Sequence, residues 1–292
     1  MPGGPAGFLG GEMKHAMMEC PFSSLQCVVF DWAGTTVDFG CQGPVQAFVE
    51  CFAALGVKIT AAEARGPMGM GKRDHVAALC ALPRVAAAWR DVYGASPTEA
   101  DIDRIYRRVE CVMGESVRRY STPIPGVVEA VEDMRRLRLR IGSCTGYPRS
   151  VGETLADRAR EFGYAPDVLV CATDVAQGRP APDMCREVMR KLNVTDPSRA
   201  VKVGDTVNDV LEGVQAGMWV IGVTLSGSLA GLAEDELSGL TEAQKWMMHS
   251  RISDVLTEAG AHFTIPDVAS CLPVLRNIDD NRRNNFKPRI CK

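Results

Sequence analysis

The sequence is poor in histidine, in net charge and in long apolar runs. Its 292 residues hold four histidines (His15, His75, His249 and His262) and no CxxC or CxxxC pair. Zinc-site spacing is therefore missing, despite eleven cysteines. Cations and anions nearly cancel, 33 Lys and Arg against 36 Asp and Glu, for a net charge of −3. No global positive field draws such a chain to nucleic acid or anionic lipid. No apolar run approaches the roughly 18 residues that span a bilayer. The first eleven positions carry five glycines, and no basic stretch leads into an apolar one, so residues 1–22 are expected to be a disordered leader rather than a secretory signal.

What is present suits a soluble globular protein: 46% hydrophobic residues, 24% charged, and a mean hydropathy of −0.04. The cysteines are odd in number, and several lie inside apolar runs. They read as reduced, small core residues of a cytoplasmic protein.

Five strand-length apolar runs alternate with helical patterns: Gln26–Phe30, Leu139–Ser143, Asp167–Cys171, Ala200–Gly204 and Met218–Val223. This is the pattern of an α/β fold, a doubly wound parallel sheet with helices on both faces. The first two runs are more than a hundred residues apart, far beyond a normal crossover. The stretch between them reads as purely helical. Pro44 can open a helix whose apolar residues are Val45, Phe48, Val49, Phe52 and Leu55, and Thr60 with Glu63 and Thr98 with Asp101 match capping boxes. An all-helical domain over 41–121 is thus expected, inserted into a core of 23–40 and 122–277, with hinges near 38–43 and 120–126 and a flexible tail over 278–292.

In an open parallel sheet, ligands bind beyond the carboxyl ends of the strands. Three of these ends are polar here: Asp31-Trp-Ala-Gly-Thr-Thr36, Cys144-Thr-Gly146, and Gly204-Asp-Thr-Val-Asn-Asp209. A carboxylate at the tip of an apolar strand is costly unless a metal or donors balance it. Asp31 and Asp205 can share a Mg2+ with a backbone carbonyl, while Thr145 and the amides after Asp31 and Thr145 can hold phosphoryl oxygens.

Asp31-x-x-Gly-Thr, Thr145 and Gly-Asp205-x-x-x-Asp209 resemble the haloacid dehalogenase superfamily, whose helical cap follows strand one. The wording is closer still to its phosphonoacetaldehyde hydrolase (phosphonatase) family. The match runs through Phe30–Asp38, Pro67-Met-Gly-Met-Gly-Lys-Arg-Asp-His75, Ile141–Tyr147, Gly178-Arg-Pro180, Val203–Thr206 and Gly260–Thr264. It implies Asp31 as nucleophile and a Mg2+ held by Asp31, the Ala33 carbonyl and Asp205, with Asp209 behind them. Ala33 stands where superfamily phosphatases usually carry a second Asp as general acid/base, and an alanine cannot transfer a proton. Cleaving the carbon–phosphorus bond of phosphonoacetaldehyde instead needs an electron sink, which a lysine imine supplies. Lys72 is the candidate: its Met and Gly neighbours disfavour the ammonium. His75, three residues on, is a candidate proton shuttle. Arg179 stands where the superfamily commonly has Lys, and with Thr145 would neutralise phosphoryl charge.

The resemblance further implies a substrate-binding set of Gly34, Thr35, Gly146, Met68, Gly69, Tyr147 and Cys41, homodimers through the cap, and a role in 2-aminoethylphosphonate degradation. Cys144 stands where a second Thr beside Thr145 is expected. Gly66–Lys72 also fits a Walker A skeleton, but Arg73 replaces its last Ser/Thr and no strand precedes it, so ATP binding is rejected. Two other readings remain open: a superfamily phosphatase or phosphomutase acting on a small C–O–P ester, and a non-catalytic phosphate-binding scaffold.

Overall fold

The structure, a computed structural model, describes residues 21–284 and 286–288; most of the expected leader and the end of the tail lie outside them. The chain opens with β1 (Cys27–Phe30) and then five helices, α1 (Gln42–Ala53), α2 (Ala61–Arg65), α3 (Lys72–Ala81), α4 (Pro83–Tyr93) and α5 (Glu99–Arg119). It returns through α6 (Val127–Arg136) to β2 (Arg140–Thr145), α7 (Arg149–Glu161), β3 (Val168–Cys171) and α8 (Asp183–Lys191). β4 (Ala200–Gly204), α9 (Val207–Gln215) and β5 (Trp219–Val223) follow, and then α10 (Glu234–Ser238), α11 (Glu242–Glu258), β6 (Phe263–Ile265) and α12 (Cys271–Arg283).

The sheet is entirely parallel, in the order β3-β2-β1-β4-β5-β6. Its sixth strand was not among the five expected runs: with three residues and a half-buried Phe263 and Thr264, it is too short to stand out by hydropathy. The chain leaves β1 toward β2 on one side and β4 on the other, so β1 lies at the switch point where a crevice opens. Phe30 is in register with Ser143 of β2 and Val203 of β4. Asp31, Thr145 and Asp205 therefore emerge side by side at the same sheet edge.

The inserted helices are built from local signals and one buried seam. Thr60 and Glu63 exchange side-chain and backbone hydrogen bonds at the start of α2, as Thr98 and Asp101 do at α5. These boxes satisfy amides that the first helical turn leaves without partners. α1 and α5 pack along each other through Phe48, Cys51 and Phe52 against Ile105, Val109 and Met113, all essentially inaccessible. Each large side chain so buried contributes roughly 1.5–3 kcal/mol.

The boundary expected at residue 277 is corrected: α12 runs on to Arg283, with Ile278 and Asp279 buried. Phe22, assigned to the leader, is buried as well. The reason is one carboxylate. Asp279 accepts hydrogen bonds from the backbone amides of Ser23, Ser24 and Leu25 at 3.1, 2.7 and 2.8 Å, tying the end of the chain to the entry of β1. Burial alone would raise its pKa, but the amides of Leu25, Ser23 and Ser24 outweigh it and hold the carboxyl below its usual value. Asp279→Ala leaves those amides unpaired and should cost about 2–3 kcal/mol in urea unfolding at pH 7. A lowered folded pKa adds stability above the unfolded value of about 4 and loses it as pH falls through the folded value. The deficit of the variant should therefore shrink as pH falls below about 4.

Candidate active site

Asp31 follows β1 directly, its amide donating to the Val203 carbonyl at 2.9 Å and its carboxylate 6% exposed at the residue level. Arg179 reaches it from the segment after β3, with Nη1 2.7 Å from Asp31 Oδ1 and 3.0 Å from Asp209 Oδ1. The rest of the guanidinium is equally occupied: Nε donates to Glu212 at 2.8 Å and Nη2 to the Cys144 carbonyl at 2.9 Å. Asp209 and Glu212 lie on one face of α9, whose first turn is closed by a Thr206–Asp209 capping box. Lys202, buried in the middle of β4, sits 2.9 Å from Asp209 and 3.2 Å from Glu212.

Asp205 is different, because no cation among the described residues touches it. Its Oδ1 accepts from the Thr35 hydroxyl at 3.0 Å and its Oδ2 from the Ser228 amide at 2.7 Å. Gly34, at φ +85°, lets the β1 loop come this close: a Cβ there would fall 2.7 Å from Asp205 Oδ2. Oxygens of Asp31, Asp205 and Asp209 lie within 4.8 Å of one another. Counting Glu212, four buried carboxylates face two buried cations, Arg179 and Lys202, which leaves a deficit of two positive charges. A divalent cation between Asp31 and Asp205 fits that deficit and the all-oxygen donor set. Burial, followed by the charges of Asp31 and Asp209, pushes Asp205 up to about 7, and burial likewise raises Asp31 against the pull of Arg179.

Across the cleft, Lys72 is the first residue of α3 and is 7% exposed. Its Nζ lies 4.9 Å from the centroid of the Tyr147 ring and 5.8 Å from that of Phe48. Burial lowers its pKa against the opposing charges of Cys41, Asp31 and Asp205. The N-terminal end of α3, where the helix dipole is positive, disfavours an ammonium further. Lys72, Met68, Gly69 and Cys41 line the same small cleft as Asp31, Ala33, Thr145, Gly146, Tyr147 and Arg179. Thr145 accepts from the Tyr147 amide at 3.2 Å, which leaves its own hydroxyl proton to donate.

Three residues expected at the site lie outside the lining of the cleft. Thr35 spends its hydroxyl on Asp205, and the amides of Gly34 and Thr35 are bound within the turn to the Val37 and Trp32 carbonyls at 2.8 and 3.0 Å. Both residues shape the carboxylate site and do not line the cleft. His75 also lies outside the lining. Its Nε2 is 2.9 Å from the Ala64 carbonyl, and its ring stacks on Phe48 at 3.9 Å. Because a carbonyl can only accept, Nε2 carries the proton, and the buried Nδ1 is a lone pair without a partner among the described residues. Burial and then the charge of Lys72 keep the ring neutral.

Position 144 resolves through strand alternation: Thr145 faces the cleft, and Cys144 points the other way, fully buried. Its sulfur lies 3.1 Å from Lys202 Nζ and 3.3 Å from Arg179 Nη2. Lys202 and Glu212 are site residues that motif reading passed over. Both had a signal: a lysine inside the apolar run Ala200–Gly204, and a Glu one turn beyond Asp209.

The raised pKa of Asp205 has a measurable consequence. A buried acid titrating near 7 binds a proton in the folded metal-free protein that the unfolded chain, titrating near 4, releases. Its contribution to stability therefore falls as pH rises from about 4 to about 7, and cation binding reverses the loss. The rise in melting temperature produced by saturating Mg2+ should be larger at pH 8 than at pH 5.5. Equal rises at both pH values would count against a cation at Asp205.

Comparison with known proteins places this geometry. The model of haloacid dehalogenase-like hydrolases matches residues 25–217. A phosphonoacetaldehyde hydrolase of Syntrophobacter fumaroxidans is 44% identical over 256 residues, covering 88% of this chain and 92% of that protein. A bifunctional phosphonoacetaldehyde hydrolase/aminoethylphosphonate transaminase of Clostridioides difficile is 42% identical over 90% of this chain and 42% of its own length. The crystal structure of a phosphonoacetaldehyde hydrolase-like protein from Oleispira antarctica superposes with a TM-score of 0.90 at 34% identity, covering 92% of this chain and 98% of the other. Sequence, fold and the carboxylate–lysine cleft agree: the chain belongs to the phosphonoacetaldehyde hydrolase family of the haloacid dehalogenase-like hydrolases.

Proposed function

We propose that the chain hydrolyses the carbon–phosphorus bond of phosphonoacetaldehyde to acetaldehyde and phosphate, in the cytoplasm, as a step of 2-aminoethylphosphonate degradation. The observation that carries this reading is the pairing of a buried, pKa-lowered Lys72 with Asp31 in one small cleft whose position 33 has no proton donor. The fusion to a transaminase in the C. difficile relative supports the place in that pathway.

The neutral amine of Lys72 attacks the aldehyde carbon, and loss of water gives an imine. The lone pair on His75 Nδ1, one helical turn away, takes up and returns a proton during that exchange. Asp31 then attacks phosphorus. The electrons of the breaking C–P bond flow into the imine, giving an enamine on Lys72 and a phosphoryl group on Asp31. Water cleaves the aspartyl phosphate, the enamine is protonated at carbon, and a second water releases acetaldehyde and the free amine. One water is consumed per turnover.

Thr145 donates to a phosphoryl oxygen, Arg179, committed to Asp31, Asp209, Glu212 and the Cys144 carbonyl, offsets phosphoryl charge through space, and Tyr147, Met68, Gly69, Gly146 and Cys41 enclose the two-carbon unit. Asp31, Asp205 and the Ala33 carbonyl would hold a Mg2+, which would supply Lewis-acid neutralisation of phosphoryl charge. Asp209 acts from behind by fixing Arg179 and Lys202. A homodimer through the inserted helices is part of the same proposal, and Val92 and Tyr93, exposed on α4, supply apolar surface for it.

Borohydride reduction with and without phosphonoacetaldehyde, followed by peptide mapping, tests the reaction class. Substrate-dependent trapping should appear at Lys72 and disappear in Lys72→Arg, with kcat/KM falling on the order of 10³-fold. Trapping should also slow as pH falls, because the amine must be unprotonated to attack. A wild-type protein that is never trapped, or a Lys72→Arg variant with full turnover, would falsify the imine route.

A further inference from the structure

The segment Gly66–Lys72 carries the lysine from α2 into α3, and two sets of polar contacts clamp it to the sheet domain. Near its middle, the Met68 carbonyl accepts from Asn208 Nδ2 at 2.8 Å. Gly69, at φ +88°, lies so close to α9 that a Cβ would fall 2.3 Å from Thr206 Oγ1. At its root stands Arg65, the last residue of α2. Its Nη2 donates to the Gly231 carbonyl at 2.8 Å, with longer contacts of 3.4 Å to the Gly40 carbonyl and 3.3 Å to Gln42 Oε1. Gln42 Nε2 donates to the same Gly231 carbonyl at 3.1 Å. Gly231, at φ +65°, has no room for a side chain: a Cβ would sit 2.5 Å from Arg65 Nε.

Gly231 belongs to the loop after β5, and that loop also serves the carboxylates. Its Ser228 amide holds Asp205, its Ser226 hydroxyl donates to the Gly34 carbonyl at 3.1 Å, and its Ser226 carbonyl accepts from the Gly40 amide at 2.8 Å. One stretch of backbone thus touches the turn after Asp31, the carboxylate of Asp205, and the root of the lysine-bearing segment. We propose that Arg65, assisted by Gln42, is a positioning residue for Lys72: its guanidinium docks the segment onto the Gly231 and Gly40 carbonyls and sets the amine in register with Asp31 and Asp205. This rests on the reaction proposed above for what Lys72 does, and on geometry alone for the docking. One always-charged nitrogen, Nη2, reaches both carbonyls and Gln42 Oε1, and neither side chain contacts the reacting atoms.

The test compares Arg65→Met, Arg65→Lys and the milder Gln42→Ala with the wild type by two readouts. Backbone hydrogen exchange is followed on the free protein over residues 66–72, with β1, β4 and β5 as internal reference. In Arg65→Met, exchange of 66–72 should rise about tenfold while the strands stay unchanged, with Gln42→Ala moving the same way by less. The rate of borohydride trapping at Lys72 with subsaturating phosphonoacetaldehyde should fall about tenfold in Arg65→Met, as the competent position becomes less populated, and Arg65→Lys should recover most of it. Wild-type exchange over 66–72 in Arg65→Met overturns the inference. So does a rise spread equally over the strands, which marks a merely structural arginine. The two failures separate, because exchange is read without substrate: absence of trapping in the wild type speaks against the reaction, and unchanged exchange speaks against the docking.

Discussion

The structure depends on an imbalance of buried charge at the carboxyl ends of β1 and β4. Asp31, Asp205, Asp209 and Glu212 are gathered where water is excluded, and Arg179 and Lys202 compensate only part of them. Breaking one member of such a cluster leaves a neighbour buried and unpaired, which costs far more than a surface ion pair contributes. The compensation is also uneven. Asp209 and Glu212 each touch both cations, while Asp205 touches none. The cluster is therefore fully paired on the α9 side and electrostatically unfinished on the cleft side.

The same imbalance explains why the fold places its cations deep. Lys202 lies in a strand covered on both faces, where a lone ammonium would lose its proton, yet Asp209, Cys144 and Glu212 hold its pKa well above the usual value against burial and Arg179. Lys72 has the opposite surroundings, aromatic rings and a helix N-terminus, and its pKa is lowered. The pKa values of two buried lysines in one protein are thus driven in opposite directions by their neighbours. One supports carboxylates as a fixed charge, and the other is the amine on which the proposed imine rests.

Much of this was legible in the residues, and the rest had a physical reason to be hidden. The parallel strands showed as apolar runs because both their faces are buried, and Asp31, Thr145 and Asp205 showed because polar groups at strand tips stand out. β6 was hidden by its shortness, and the continuation of α12 by a polar ending, Asn277-Ile-Asp-Asp-Asn-Arg, whose burial depends on three amides 250 residues away. The misassignment of Thr35 has another origin. Its motif position suggests a phosphate ligand, but its hydroxyl is committed to Asp205, a partner distant in sequence. Arg65 gave no signal at all, since its partners are backbone carbonyls, which any residue supplies.

The roof of the cleft meets its floor through few and small groups. Lys72 and Asp31, one from each side, are both nearly inaccessible. Where that segment meets the sheet domain, the contacts are backbone against backbone or small polar groups: Gly69 on Thr206, Gly146 on the Met70 carbonyl, Asn208 on the Met68 carbonyl. Parting them exposes little apolar surface, and water replaces the lost hydrogen bonds at small net cost. The large apolar seam of the inserted helices, between α1 and α5, lies within the helical layer, but α5 also packs against α7, so the hold of that layer on the sheet domain is set by apolar contact as well as by the few hydrogen bonds at the segment 66–72.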